Sequence, residues 1–234
     1  MKLLALDTAT LHASVAALDT FDGDRVVATR GERVTTHSDR LLALVADTLA
    51  EAGWSARDVE AVACGAGPGS FTGLRIGLAT AKGLCFAYRR PLVLVSSLAA
   101  LAARGRGPTL AVLDAHKGEL YAGAFTVDDA GLPTPTGDEE TITPAALVAR
   151  LEARGGAPLA VVGDGLLRAP ELLALPGVTR VDDDPAPRAV DVARLARVRL
   201  ARGESDSLVD ASPRYIRPSE AELMKARKAA QAPH

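Results

Sequence analysis

Apolar residues open the chain in a run from Leu3 to Leu6 that stops at Asp7, and a second run, Ala13 to Leu18, follows across Thr8 to His12. Two short apolar runs joined by a polar break predict a β-hairpin. Val26, Ala28, Arg30, Glu32 and Val34 share one parity and predict a third strand from Arg25 to Val34, whose charges suit a sheet edge. A helix is predicted from Leu41 to Ala52, with Ser38 or Asp39 able to cap it and Gly53 to end it. Ser55 and Asp58 form a capping-box-like pair ahead of a strand from Val59 to Cys64. The irregular stretch GAGPGSFTG, residues 65–73, leads into a helix from about Leu74 to Tyr88. A strand from Leu92 to Val95 and a helix capped by Ser97 and running toward Arg104 complete this half.

RGRGP then reads as a breaker-rich junction, after which the pattern restarts. Leu110, Ala111, Val112, Leu113 and Asp114 echo Leu4, Ala5, Leu6 and Asp7, and the short similarity leaves true duplication and chance both open. Glu119 to Val127 reads as a strand, Thr143 and Pro144 cap and open a helix to Ala153, and Leu159 to Val162 reads as a strand ending at GDG. The acidic, proline-broken DDDPAP separates these from a helix between Val190 and about Arg202. PRYIRP is then extended, with Tyr215 and Ile216 as anchors. Strands alternating with helices predict an α/β fold with a mixed or largely parallel sheet.

Composition narrows the function classes. A net charge of −2 in 234 residues gives no broad basic face for nucleic acid, and the dense basic cluster Lys225, Arg227 and Lys228 sits in the tail. The two cysteines, Cys64 and Cys85, lie in apolar stretches without CxxC spacing and read as small buried hydrophobes. Asp7 interrupts the first apolar run too early for a signal peptide or membrane span.

The glycine-rich stretch lies between a predicted strand and helix, where backbone amides can hold an anion. Gly67, Gly69, Ser70, Thr72 and Gly73 are its candidate anion-loop residues, although it matches neither the dinucleotide fingerprint nor a Walker A loop. The alternative is a structural turn in which Gly69 and Gly73 permit close approach and Thr72 caps the helix. Asp7 and Asp114 end apolar strands, where they could hold a metal beside a phosphate or tie down their own loops. The histidines show no metal-ligand spacing, since Leu41 follows His37 at i+4 and His12, His116 and His234 stand apart. Ser70 lacks the GxSxG elbow of a serine hydrolase. No catalytic residue, metal or cofactor is expected.

The two helices of the first half are apolar on more than one side. Leu41, Val45, Leu49, Leu74, Ile76 and Leu84 are the candidate partner-interface residues, with Gly77 and Gly83 allowing close approach. Burial within a layered monomer satisfies the same pattern.

LLALDTAT, GPGSFTGLRIG, DAHKGELYAG and PRYIRPSEAE occur in that order, and together they resemble the TsaB family. The resemblance implies an α/β fold of two ribonuclease-H-like domains of the actin and Hsp70-type ATPase class. It divides the chain into a first domain, 1–103, a degenerate second domain, 108–187, a helix and extended segment, 188–218, returning to the first, and a tail, 219–234. It also implies a cytoplasmic, non-catalytic activator of TsaD, which resembles it in fold but carries a metal-binding histidine pair. That assembly transfers threonylcarbamoyl from threonylcarbamoyl-adenylate to N6 of adenosine 37 in tRNAs reading ANN codons. The implied partners are TsaD, TsaE through the TsaB–TsaD complex, tRNA indirectly or at the complex surface, and a second copy of the chain when TsaD is absent; no membrane is implied. Asp7, Asp114 and Glu119 are expected to shape loops. A sugar or metabolite kinase of the actin-like class is the competing reading, motivated by Asp7, the 65–73 loop and Asp114.

Overall fold

A computed structural model describes residues 1–21, 24–33 and 37–217, without the side chains of 37–39. The expectations for Val34, the His37 side chain, His234 and the basic tail cluster lie outside the described residues.

The first sheet is built from β1 (Lys2–Asp7), β2 (His12–Asp19), β3 (Arg25–Arg33), β4 (Ala61–Gly65) and β5 (Leu92–Val95), in the order β3-β2-β1-β4-β5. β1 pairs antiparallel with β2 and parallel with β4, and β5 extends the parallel side. Both faces are covered, which explains why β1 is apolar without alternation. Leu4 and Leu6 point to the core beneath α1 (His37–Glu51) and α2 (Phe71–Tyr88), while Leu3 and Ala5 join the core on the other face.

The second sheet repeats the plan. β6 (Gly107–Asp114) pairs antiparallel with β7 (Leu120–Val127), which pairs antiparallel with β8 (Pro133–Pro135); β10 (Leu159–Val162) and β11 (Val178–Arg180) extend the parallel side. The order β8-β7-β6-β10-β11 therefore matches that of the first sheet strand for strand. This resolves the open question of duplication in favour of a repeated topology. A short β9 (Glu140–Ile142) adds to β7, and α4 (Pro144–Glu152) covers one face through Leu147 and Leu151.

Two helices cross between the halves. The last helix, α5 (Ala189–Ala201), follows the second sheet but packs Ala189, Val192, Ala193 and Ala196 onto the first. Conversely, α3 (Ser97–Ala102) follows the first sheet, yet Leu98 and Leu101 pack with Leu113, Tyr121 and Phe125 of the second. The Arg104 side chain, just past α3, is 3% exposed and fastens this junction: its Nε lies 3.0 Å from Asp191, and it donates to the carbonyls of Asp184 and Ala186.

Several local expectations are corrected. Helix α1 starts at His37, so Ser38 and Asp39 lie in its first turn rather than before it. Helix α2 starts at Phe71 instead of Leu74, because Ser70, not Thr72, accepts the Gly73 N–H as its cap. Likewise Ser96, not Ser97, caps α3, freeing the Ser97 hydroxyl for another partner. Gly107 and Pro108 begin β6 instead of forming a junction, since the hairpin register extends to Val127. Thr143 caps α4 as expected. Among the described residues no helix is long and apolar enough to cross a membrane.

Candidate functional site

Asp7 ends β1 with its side chain fully buried. Its Oδ1 accepts the Ala9 N–H at 2.8 Å, and its Oδ2 accepts the Ser97 hydroxyl at 2.7 Å. Burial drives its pKa upward, and the Ala9 and Ser97 bonds only oppose that shift. Gly65 makes the arrangement possible, because a Cβ there would collide with the Asp7 carboxylate. Gly69 plays the same part against the Ala9 carbonyl, which accepts the Ser70 N–H at 2.6 Å. Of the candidate anion-loop residues, Ser70 and Gly73 thus have their amides committed to Ala9 and to the Ser70 hydroxyl. The Gly67 carbonyl accepts from Ser97, and Thr72 is exposed in the first turn of α2. The stretch binds the first hairpin to α2 and α3.

Asp114 stands at the corresponding end of β6. Its Oδ1 accepts the His116 N–H at 2.8 Å and its Oδ2 accepts Arg168 Nε at 2.8 Å. Burial alone would raise its pKa, but Arg168 and the His116 amide together hold the carboxyl below its ordinary value. Asp164 Oδ1 accepts the Asp114 backbone N–H, and burial lifts Asp164 to about 6. Glu119 closes the turn through its backbone, with Ala115 donating to its carbonyl, and its carboxylate meets Arg217 at 3.1 Å. Among the described residues, no three His, Cys, Asp or Glu side chains converge on a metal-sized site. Both thiols are free and buried, and burial pushes Cys85 up to about 12.

Most of the candidate partner-interface residues are buried within the chain itself. Leu41, Val45, Leu49 and Leu74 are core residues, and Ile76 and Leu84 are partly buried against the same cluster. The outer faces of α1 and α2 instead present Leu42 at 59% exposure and Phe86 at 82%. Ala46 and Ala50 on α1, and Ala79, Gly83 and Ala87 on α2, are also exposed, so these faces are short-chained between the two large apolar residues.

Sequence reasoning missed a third feature. The segment after α5 returns to the first half, where Tyr215 stacks on Phe71 with ring centroids 4.8 Å apart. Arg75 Nε donates to the Tyr215 hydroxyl across 140 residues of sequence. Tyr215 was legible only as an anchor, and no local signal links it to Phe71. With Asp114, Lys117, Arg214 and Arg217, these residues line a cleft of about 540 Å³ between the two halves.

A family model described as TsaD, tRNA N6-adenosine threonylcarbamoyltransferase, matches residues 32–155. The chain is 34% identical over 224 residues to the tRNA threonylcarbamoyladenosine biosynthesis protein TsaB of Escherichia coli K12, covering 93% of this chain and 95% of that protein. A crystal structure from Pseudomonas aeruginosa, of an uncharacterized protein with similarity to peptidase YEAZ, superposes with a TM-score of 0.80. It is 35% identical, and the match covers 92% of this chain and 99% of that one. The ROK hexokinase of Thermus thermophilus is 15% identical with a TM-score of 0.51, over 86% of this chain and 100% of that one, a likeness of fold alone.

Proposed function

The chain belongs to the TsaB family, and from that membership we propose that it is a non-catalytic partner of TsaD in tRNA threonylcarbamoyladenosine synthesis. In this reading TsaD transfers threonylcarbamoyl from threonylcarbamoyl-adenylate to N6 of adenosine 37 in tRNAs reading ANN codons. This chain holds TsaD in its reactive conformation, since a bound partner shifts the population toward the state it prefers. TsaE joins through the TsaB–TsaD pair, and a second copy of the chain occupies the same face when TsaD is absent.

The observation that carries the reading is the outer face of α1 and α2, where Leu42 and Phe86 stand exposed among alanines and a glycine. Large apolar anchors on a small-residue helix surface suit close helix-to-helix docking. The engagement of Asp7 and Asp114 supports the non-catalytic part. Their oxygens are bonded to Ala9, Ser97, His116 and Arg168, a use that competes with holding a nucleotide-bound cation in a kinase.

The test is reconstitution of tRNA modification from purified TsaD, TsaE and threonylcarbamoyl-adenylate, with and without this chain. Modification that depends on the chain, with no transfer or phosphorylation by the chain alone, is the expected result. An equal rate without it, or sugar phosphorylation by the isolated chain, overturns the proposal.

A further inference from the structure

The inter-half cleft lies apart from the exposed Leu42 and Phe86 of the proposed docking face. Its volume, about 540 Å³, lies in the range of small-ligand sites. One wall carries the Phe71–Tyr215 stack, with Tyr215 41% exposed. The Arg75 guanidinium lies 3.8 Å from the Phe71 ring centre, and its bond to the Tyr215 hydroxyl fixes it beside both rings. Arg214 and Arg217 enter from the same returning segment.

We propose that this cleft holds one nucleotide of an RNA strand, with its base against Tyr215 and Phe71 and its phosphodiester held by Arg75, Arg214 and Arg217. The inference rests on the reading of the chain as part of a tRNA-modifying assembly and names where it touches that RNA. An aromatic face beside guanidinium groups is the usual means of holding a single-stranded base without reading its sequence.

The acids around the cleft set the class of anion. The Asp114 oxygens are engaged by Arg168 and His116. Glu119 lies 3.1 Å from Arg217 and Glu139 3.6 Å from Arg214, so two of the three arginines are partly neutralised. A guanidinium has five N–H donors, and one carboxylate contact does not saturate it. The residual positive charge suits a singly charged phosphodiester better than a free triphosphate. The bonds that engage Asp7 and Asp114 favour the same choice, because a triphosphate is ordinarily held with a carboxylate-bound magnesium ion.

The experiment uses the full-length chain, alone and with purified TsaD. Fluorescein-labelled, unmodified tRNA transcript and labelled AMP are titrated by anisotropy across a salt series. Tyr215→Ala, Tyr215→Phe and Arg75→Gln are compared with wild type, with thermal melting to verify folding and capture of TsaD as a separate readout. The expected result is about a tenfold loss of tRNA affinity for Tyr215→Ala and a smaller loss for Tyr215→Phe, which keeps the ring but not the hydroxyl that fixes Arg75. Arg75→Gln should also weaken binding and flatten the plot of log K against log salt by about 0.7. AMP should bind far more weakly than tRNA, and all three variants should still capture TsaD. Wild-type tRNA affinity in both Tyr215→Ala and Arg75→Gln overturns the inference. So does a wild-type chain that binds no tRNA in either setting, or AMP binding as tight as tRNA binding. Failure of the wild type to capture TsaD would instead count against the partner reading.

Discussion

Asp7 and Asp114 hold the same place in two copies of one hairpin: each ends the first strand and accepts the backbone N–H two residues on, from Ala9 and from His116, at 2.8 Å. The copies have diverged around them. Asp7 is fully buried and takes a second bond from Ser97, whereas Asp114 takes Arg168 at the cleft.

That bonding predicts a large difference between two substitutions. Asp7→Asn keeps an acceptor for Ala9 and a group that can meet the Ser97 hydroxyl, without a buried charge. Asp7→Ala strands both partners in the core, at a cost of about 1–3 kcal/mol for each. Urea unfolding should show Asp7→Asn the more stable variant by at least about 2 kcal/mol; equal losses would mean that the Asp7 bonds are not what matters.

Neighbouring leucines on α1 should behave in opposite ways. Leu42→Glu and Phe86→Glu place a charge on exposed positions, so folding stability should change by no more than about 0.5 kcal/mol. Their affinity for TsaD should fall at least about tenfold as that charge is desolvated on docking. Leu41→Glu, at a fully buried position, should fail to fold. Calorimetric titration with TsaD and parallel melting separate the two effects, and wild-type affinity in both exposed variants would place the docking face elsewhere.

Asp164 gives a pH dependence with a definite sign. Its folded pKa is raised to about 6, so the folded state holds its proton above the pH at which the unfolded chain releases it. The stabilisation is present below about pH 4 and is lost as pH rises through 6. Asp164→Asn still accepts the Asp114 N–H but has no proton to lose. Guanidinium unfolding at pH 4.5 and 7.5 should show the variant gaining on wild type at the higher pH, by on the order of 1–3 kcal/mol. A difference independent of pH would refute the assignment.

Arg104 should be among the most sensitive surface-remote positions. Its side chain is 3% exposed and pairs with the Asp191 carboxylate, whose side chain is 4% exposed, at 3.0 Å. Arg104→Met leaves the carbonyls of Asp184 and Ala186 without their donor and Asp191 with Arg188 and Arg194 as its remaining ion-pair partners. The expected loss is about 3–5 kcal/mol in unfolding free energy, with Asp191→Asn in the Arg104→Met background recovering part of it. A loss below about 1 kcal/mol would show the junction to be held by packing alone.

Much of the order of elements was legible because each is encoded by a short-range period. The Leu159–Val162 strand, the Thr143 cap and the end of β1 at Asp7 were read directly from local spacing. The short strands β8, β9 and β11 were not, since three residues carry too little pattern to be distinguished from a loop. The caps of α2 and α3 were each displaced because neighbouring hydroxyls compete for one role. Ser70 takes the cap that Thr72 could have made, and Ser96 takes the one expected of Ser97, which instead turns to Asp7.

By itself the sequence determined the α/β alternation, the restart of the pattern after the RGRGP stretch and the two strand-ending aspartates, all of which follow from contacts between near neighbours along the chain. Only the tertiary structure decided which side of each helix faces outward. Leu41 and Leu42 are chemically the same, and the difference between full burial and 59% exposure comes from the direction in which the sheet lies. The cleft was decided in the same way. Phe71, Arg75 and Tyr215 become a site because α5, which follows the second sheet, packs onto the first and carries the returning chain back to α2. Such long-range placement depends on the packing of whole surfaces, which no local period records.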